Sequence, residues 1–237
     1  MGKLQENFIN TTTVAPSTVN IYLNAVAAFL NWASDEDNNY ISPKKYIKKY
    51  KQKVVKKIKP PYTVEEYEQL LSFFQNNKNT EMFLLLQFLW HTGARVGETL
   101  SIRLSDIKLE KKCIFVPNKI YKGEQEALLL IPEAIKIVEQ VSELASQRGD
   151  DKLFSWKSGQ LPNLMAVRAE EKLNIKIHDR GLHGIRRAFC DRLFEKGLSI
   201  PEVQDIMRHR DIQTTINYYR SFKQQELVNK MSEKLKN

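Results

Sequence analysis

The sequence predicts a mainly α fold with one small antiparallel β-sheet, an α+β domain preceded by a short helical segment. Three observations carry that expectation. Apolar residues recur at helical spacing through most of the chain. The period changes to that of short strands between KCIFVPN (112–118) and EALLLIP (126–132), runs rich in branched residues. A lysine-rich stretch ending in Pro60-Pro61 divides the chain into a short first part, 1–58, and a long second part, 59–237.

Taken in order, residues 1 to about 15 carry no periodic pattern and are expected to be loosely attached. From Ser17, STVNIYLNAVAAFLNWA reads as an amphipathic helix with Val19, Tyr22, Leu23, Val26, Phe29, Leu30 and Ala33 on its apolar face. DEDNN breaks the pattern. After the lysine block, TVEEYEQLLSFFQ opens with the capping-box pair Thr63 and Glu66 and buries Tyr67, Leu70, Leu71 and Phe74. TEMFLLLQFLWHTG is apolar nearly all round and reads as a central helix stopping at Gly93. A short helix over ARVGETLSI follows.

The two strand runs then form a ribbon, with Lys119 and Lys122 placed in its connecting turn. Pro132 opens the helix PEAIKIVEQVSELASQ, as a first-turn proline does. LPNLMAVRAEEKLN and LHGIRRAFCDRLFEKG read as two further helices, the second ended by Gly197. IPEVQDIMRH is a short one with proline at its start. The tail FKQQELVNKMSEKLKN carries Val228, Met231 and Leu235 on one stripe.

Composition narrows the function classes. The 237 residues suffice for one large or two modest domains. No apolar run approaches a membrane span, and the N-terminus has no signal-peptide pattern, so a cytoplasmic location is expected. Cys113 and Cys190 lie far apart, which suits reduced thiols rather than a zinc site or a disulfide framework. With four histidines in all, no rich metal site is expected, and no P-loop or dinucleotide fingerprint occurs, so no nucleotide cofactor is expected. The net charge is +9, and the segment Pro43–Pro61 alone holds nine lysines and no acid. Such a block neutralises DNA phosphates, or stands as a solvated linker.

Three segments concentrate unusual polar residues. In HTGARVGETL, Arg95 and Glu98 are three apart, so Glu98 can hold the guanidinium from behind; read singly, this is an ordinary ion pair. In HGIRRAFC, His183 and Arg186 share a helix face and together can grip one phosphate, though a capping His beside a surface Arg has the same spacing. In MRHRDIQTTINYYR, His209 lies nine residues before Tyr218. That last region also has the outline of a helix-turn-helix DNA reader.

Read jointly, the order Arg, turn lysine, His-x-x-Arg, His, Tyr resembles the tyrosine recombinase/integrase family, which shares its catalytic arrangement with type IB topoisomerases. GARVGE is similar to that family's first arginine box, HGIRR to its second, and RHRDIQTTINY to its late histidine-to-tyrosine segment. The likeness covers about residues 60 to 220, and the helix at 17–33 resembles the end of the family's N-terminal DNA-clamping domain. Three positions depart from the pattern: Arg187 where a histidine is common, Arg208 where glycine is usual, and Ser42-Pro43 where Asn-Pro is frequent.

The resemblance implies a site-specific DNA strand-exchange enzyme acting through a 3′-phosphotyrosyl intermediate, without ATP or metal. It implies that Arg95 and Arg186 clamp the scissile phosphate and that Glu98 orients Arg95. Lys119, or Lys122 in its place, protonates the departing 5′-oxygen. His183 serves as general base or acid, His209 donates a hydrogen bond to phosphate, and Tyr218 is the nucleophile, made usable by the positive charges around it. Tyr219 is left to packing or a backbone contact. The expected DNA contacts are Lys44, Lys45, Lys48, Lys49, Lys51, Lys53, Lys56, Lys57, Lys122 and Arg187. The implied partner is double-stranded DNA, bound by a homotetramer in which each tail contacts a neighbour. DNA relaxation of the topoisomerase type, and a helix-turn-helix protein without chemistry, are the alternatives.

Overall fold

The computed structural model describes residues 15–34, 40, 60–121, 124–175 and 180–235. The chain divides into two compact units, Met1–Ile58 and Lys59–Asn237.

In the first unit, α1 (Pro16–Ala33) begins on a proline in its first turn, where the missing N–H is not needed. Val19 and Ala33 are buried, but Tyr22, Val26 and Phe29, expected on the buried face, are at least half exposed. A single amphipathic helix buries its stripe only where another element lies against it. The expectations for residues 1–14 and for Lys44, Lys45, Lys48, Lys49, Lys51, Lys53, Lys56 and Lys57 fall outside the described residues.

The second unit is built around a buried helix. α2 (Val64–Asn76) starts with the reciprocal cap read from the sequence: Glu66 N–H donates to Thr63 Oγ1 at 3.2 Å and Thr63 N–H to Glu66 Oε2 at 2.9 Å. In α3 (Thr80–Thr92), Leu85, Leu86 and Phe88 have no exposed surface. Truncating such a leucine to alanine costs about 2–5 kcal/mol, so this helix is the core's anchor. It stops at Gly93, whose φ of 60° lies in the left-handed region. A Cβ there would sit 2.2 Å from Phe189 Cδ1, so the turn needs glycine for space as well as for backbone. The next helix, α4 (Val96–Thr99), is one turn long, shorter than expected. Ile102 has already left it, since its carbonyl accepts from Leu153 N–H at 2.9 Å.

The sheet has three antiparallel strands in the order β1 (Ile107–Lys108), β2 (Cys113–Tyr121), β3 (Glu124–Leu129). Pairing runs from Cys113↔Leu129 to Phe115↔Ala127, slips, and resumes at Ile120↔Gln125. Residues 116–119 of β2 therefore stand against 126 alone. Pro117 lies in this stretch, where it has no N–H to give to a ladder. The irregularity lets pairing continue to Tyr121, so Lys119 lies within β2 rather than in the turn. Lys122 is outside the described residues.

α5 (Pro132–Arg148), α6 (Gln160–Lys172) and α7 (Gly181–Glu195) complete the main layer, with α5 and α7 packed on α3. α8 (Ile200–Met207) is capped by Ser199 and Glu202 and ends on Arg208 in the left-handed region, φ 52°. α9 (Ile212–Leu235) carries Tyr218 and the tail in one continuous helix. Phe189, Cys190, Phe194, Val203 and Met207 form a second buried cluster, against which Tyr218, Tyr219 and Phe222 of α9 pack. Cys113 and Cys190 are buried and unpaired. Among the described residues, no helix is long and apolar enough to cross a membrane.

Candidate active site

The C-terminal end of α8 organises the site. A helix end presents carbonyls with no partner in the helix and a partial negative charge. Here guanidinium groups from two remote helices reach them. Arg186, on α7 and 3 % exposed, donates from Nη2 to Met207 O at 2.5 Å and from Nη1 to Gly93 O at 2.5 Å. Arg95, the cap of α4, donates from Nη2 to Arg208 O at 3.2 Å and from Nη1 to Glu98 Oε1 at 3.0 Å. The Gly93 turn and the α8 corner are thus drawn together by the two arginines.

Glu98 is 8 % exposed and bridges two cations, its Oε2 accepting from Arg208 Nη2 at 2.7 Å. Burial pushes this carboxyl up, but the hydrogen bond and charge of Arg208, followed by Arg95, outweigh it and hold it below the usual range. Burial, then Arg95 and Arg208, pull Arg186 down to about 9, so it stays charged at neutral pH.

His183 and Tyr218 meet across α7 and α9, with 3.3 Å between Nε2 and the phenolic oxygen. Burial, then Arg186 and Arg187, depress His183, so the ring is neutral and able to accept a proton. His209 lies at the α8–α9 corner, 6 % exposed, its Nδ1 2.8 Å from Thr215 Oγ1. Burial, then Arg186 and Arg95, push it down to about 3. In the tautomer where Nδ1 accepts from the Thr215 hydroxyl, the neutral ring carries its proton on Nε2, where it can be donated to a ligand. The His209 ring stands edge-on to Tyr218, centroids 5.6 Å apart.

The structure corrects two expectations here. The cations around Tyr218 do lower its pKa, but burial is the larger effect and leaves the phenol above its ordinary value. The charges alone do not yield phenolate, and the neutral His183 is the group placed to remove the proton. Arg187, expected on DNA, is 5 % exposed. Its Nη2 donates to Ser221 Oγ at 2.7 Å and its guanidinium lies 5.3 Å from the Tyr218 ring centroid, tying α7 to α9. Tyr219 packs edge-on against Phe194, centroids 5.1 Å apart.

Arg95, His183 and Arg186 line a cleft of about 490 Å³ together with Gln160 and Asn163. Lys119 is half-buried in β2, in the irregular stretch opposite Glu126. The sequence did not point to Glu126, Thr215 or Ser221, which depend on contacts between remote elements. Arg208 was visible only as a residue where glycine is usual. Its left-handed backbone costs a non-glycine residue about 1–2 kcal/mol, and its side chain is held by carboxylates on both sides. A free-standing helix-turn-helix is disfavoured by the same geometry: the turn between α8 and α9 is occupied by His209 and by the carbonyls that bind Arg95 and Arg186.

The chain is also similar to known proteins in sequence and in fold. The model of the phage integrase family matches residues 62–225. The tyrosine recombinase XerA of Saccharolobus solfataricus is 26% identical over 217 residues, covering 92% of this chain and 68% of that protein. The tyrosine recombinase XerD of Halalkalibacterium halodurans is 30% identical over 181 residues, covering 70% of this chain and 58% of that protein. In fold, the chain is similar to the Tn1549 transposon integrase in complex with transposon right end DNA, with TM-score 0.69, 19% identity and coverage of 92% and 78%. It is also similar to the XerH site-specific recombinase in a post-cleavage complex with a palindromic difH substrate, with TM-score 0.67, 20% identity and coverage of 99% and 72%.

Proposed function

The chain belongs to the phage integrase family, and we propose that it is a tyrosine-type site-specific recombinase that cleaves and rejoins double-stranded DNA through Tyr218. The observation that carries the residue assignment is the meeting of Arg95, Arg186, His183, His209 and Tyr218, from four separate elements, around one end of α8. The cations of the site outnumber its two carboxylates, Glu98 and Glu126, so its charge calls for an anion. The planar donors of two arginines suit a phosphate.

In the proposed reaction a DNA phosphodiester enters the cleft and takes donors from Arg95 and Arg186, with His209 Nε2–H as a further donor. His183 accepts the phenolic proton as Tyr218 Oη bonds to phosphorus. The arginines offset the charge that grows on the pentavalent phosphorus. The bond to O5′ breaks and Lys119 Nζ supplies the proton that O5′ takes up. A 3′-phosphotyrosyl ester and a free 5′-hydroxyl result, and attack by another strand's 5′-hydroxyl reverses the steps with an exchanged partner. Glu98 keeps Arg95 aimed. The first unit, 1–58, with its lysine block, is assigned to gripping the duplex. Leu227, Val228, Met231 and Leu235, exposed on α9, suit a tail that docks on a neighbouring protomer in a DNA-bound tetramer. Relaxation without exchange is not favoured, since the relatives named are recombinases and integrases.

The test needs no knowledge of the target site. A pool of nicked duplexes with randomised sequence, incubated with the full chain, is expected to yield a covalent adduct on denaturing gels. Tyr218→Phe abolishes the adduct and Tyr219→Phe keeps it. Normal DNA binding with no adduct from the wild type would leave a binding protein without chemistry.

A further inference from the structure

Arg208 does more than close α8. Its side chain is 7 % exposed and stands between two carboxylates: Nη2 is 2.7 Å from Glu98 Oε2, and Nε is 3.8 Å from Oε2 of Glu126, itself 9 % exposed. Arg210 Nε approaches the other oxygen of Glu126 at the same 3.8 Å. Glu98 belongs to the arginine pocket through Arg95. Glu126 belongs to β3, at the position facing the irregular stretch of β2 that ends in Lys119. One buried guanidinium therefore spans from the phosphate cleft to the strand position opposite the lysine.

We propose that Arg208 and Glu126 form a clamp that sets the β2–β3 hairpin against the cleft and so positions Lys119 for proton transfer to the leaving oxygen. The contact is short of closed. A charge-assisted hydrogen bond spans about 2.8 Å, and Nε and Nη1 of Arg208 are buried without a hydrogen-bond partner among the described residues. An advance of the hairpin by about 1 Å turns the 3.8 Å ion pair into a hydrogen bond. The cleft of about 340 Å³ lined by Glu126, Gln204, Arg208, His209 and Arg210 leaves room for that movement. The irregular pairing of β2 suits it as well, because residues 116–119 are not locked one-to-one to β3. Arg208 is thus a positioning residue that acts through Lys119.

The inference rests on the proposed recombinase chemistry with Lys119 as proton donor, and the experiment separates the two. In the natural step, Tyr218 Oη–P forms, P–O5′ breaks, and O5′ takes a proton from Lys119. With sulfur in the bridging position, P–S breaks instead and a thiolate leaves unprotonated, because a thiol's ordinary pKa is about 8.5. The duplex that the full-length wild type cleaves best from the randomised pool is made in both forms. Single-turnover adduct formation is measured for wild type, Arg208→Gly, Arg208→Lys, Glu126→Gln and Lys119→Ala, alongside each variant's melting temperature.

Arg208→Gly and Glu126→Gln are expected to slow cleavage of the oxygen substrate about 10- to 100-fold, the cost of a group misplaced by an ångström. On the sulfur substrate both return close to the wild-type rate, as Lys119→Ala does, and Arg208→Lys recovers part of the loss on oxygen. Glycine suits the backbone at this position, and Glu126→Gln carries the test if Arg208→Gly does not fold. Equal slowing on both substrates, or no slowing on either, overturns the clamp. A Lys119→Ala variant that sulfur does not rescue overturns Lys119 as donor and the clamp with it. A wild type that forms no adduct on either substrate overturns the recombinase reading itself.

Discussion

The Nε2 atom of His183 lies 3.3 Å from the phenolic oxygen of Tyr218, one residue on α7 and the other on α9. Burial acts on the two in opposite senses, depressing the histidine and raising the tyrosine. Both groups are therefore neutral at physiological pH, with the proton on the phenol and the acceptor beside it.

Cleavage should depend on a deprotonated His183. Its pKa lies below 6.5, so the active form is complete above that value and is lost as pH falls through the depressed pKa. The profile of kcat/KM, which reports the free enzyme, is expected to be flat from neutral pH upward through the mildly basic range, with its acid limb below 6.5. His183→Ala should lower the rate about 10²- to 10⁴-fold and remove the limb. A midpoint above 6.5 that survives the substitution would assign the base elsewhere.

His209 links stability to acid. Its folded pKa is about 3, against an ordinary value of about 6.5 in the unfolded chain. Between those values the unfolded state binds more protons, so stability declines as pH falls from the upper to the lower. Urea unfolding followed across that window should show a shallower loss in His209→Gln than in the wild type. Identical slopes would mean that the ring is protonated in the fold.

Gly93→Ala should be severe for two separate reasons. The left-handed backbone penalises any Cβ by about 1–2 kcal/mol, and the new carbon meets the Phe189 ring at 2.2 Å. The same residue's carbonyl is an acceptor for Arg186, so cleavage falls together with the melting temperature. Phe189→Leu in the same chain should recover part of the stability. No recovery would show that backbone strain alone sets the cost.

Ser221→Ala tests how Tyr218 is held. The change removes the 2.7 Å hydrogen bond from Arg187 Nη2 to Ser221 Oγ; losing a hydrogen bond made by a charged group costs about 1.5–3 kcal/mol. The expected result is a lower melting temperature with a smaller loss of cleavage rate than His183→Ala causes, since the nucleophile is loosened rather than deprived of its base.

Leu227→Asp with Met231→Asp probes the tail. Both side chains are at least 60% exposed, and substitutions at such positions move stability by about 0.5 kcal/mol or less. The melting temperature should hold while DNA-bound assemblies, sized by light scattering, lose their higher-order form. Unchanged assemblies would place the tail outside any protomer contact.

Much of the design is legible along the chain because its causes are local. The Thr63–Glu66 cap, the all-apolar α3 and the strand pair around 113–129 follow from periodicity, capping and turn chemistry within a few residues. The spacings around Arg95, His183, Arg186, His209 and Tyr218 likewise belong to single segments, and together they name the family. Local reading erred where a competing local device intervened. The pairing slip at 116–119 carries β2 past Lys119 and takes that lysine out of the turn. Past the single turn of α4 the backbone changes to i−3 bonds, Ser101 N–H to Glu98 O and Ile102 N–H to Thr99 O, and the carbonyl of Ile102 then goes to Leu153.

The sequence alone determined the residue types of the chemistry and their order. Only the tertiary structure decided their environments: Arg187 beneath Tyr218 rather than on the surface, a phenol held protonated by burial, and Arg208 joining Glu98 to Glu126 across 28 positions of sequence. The physical reason is that burial and Coulomb interaction depend on distance in space. Those distances exist only once α7, α8, α9 and the hairpin have packed together.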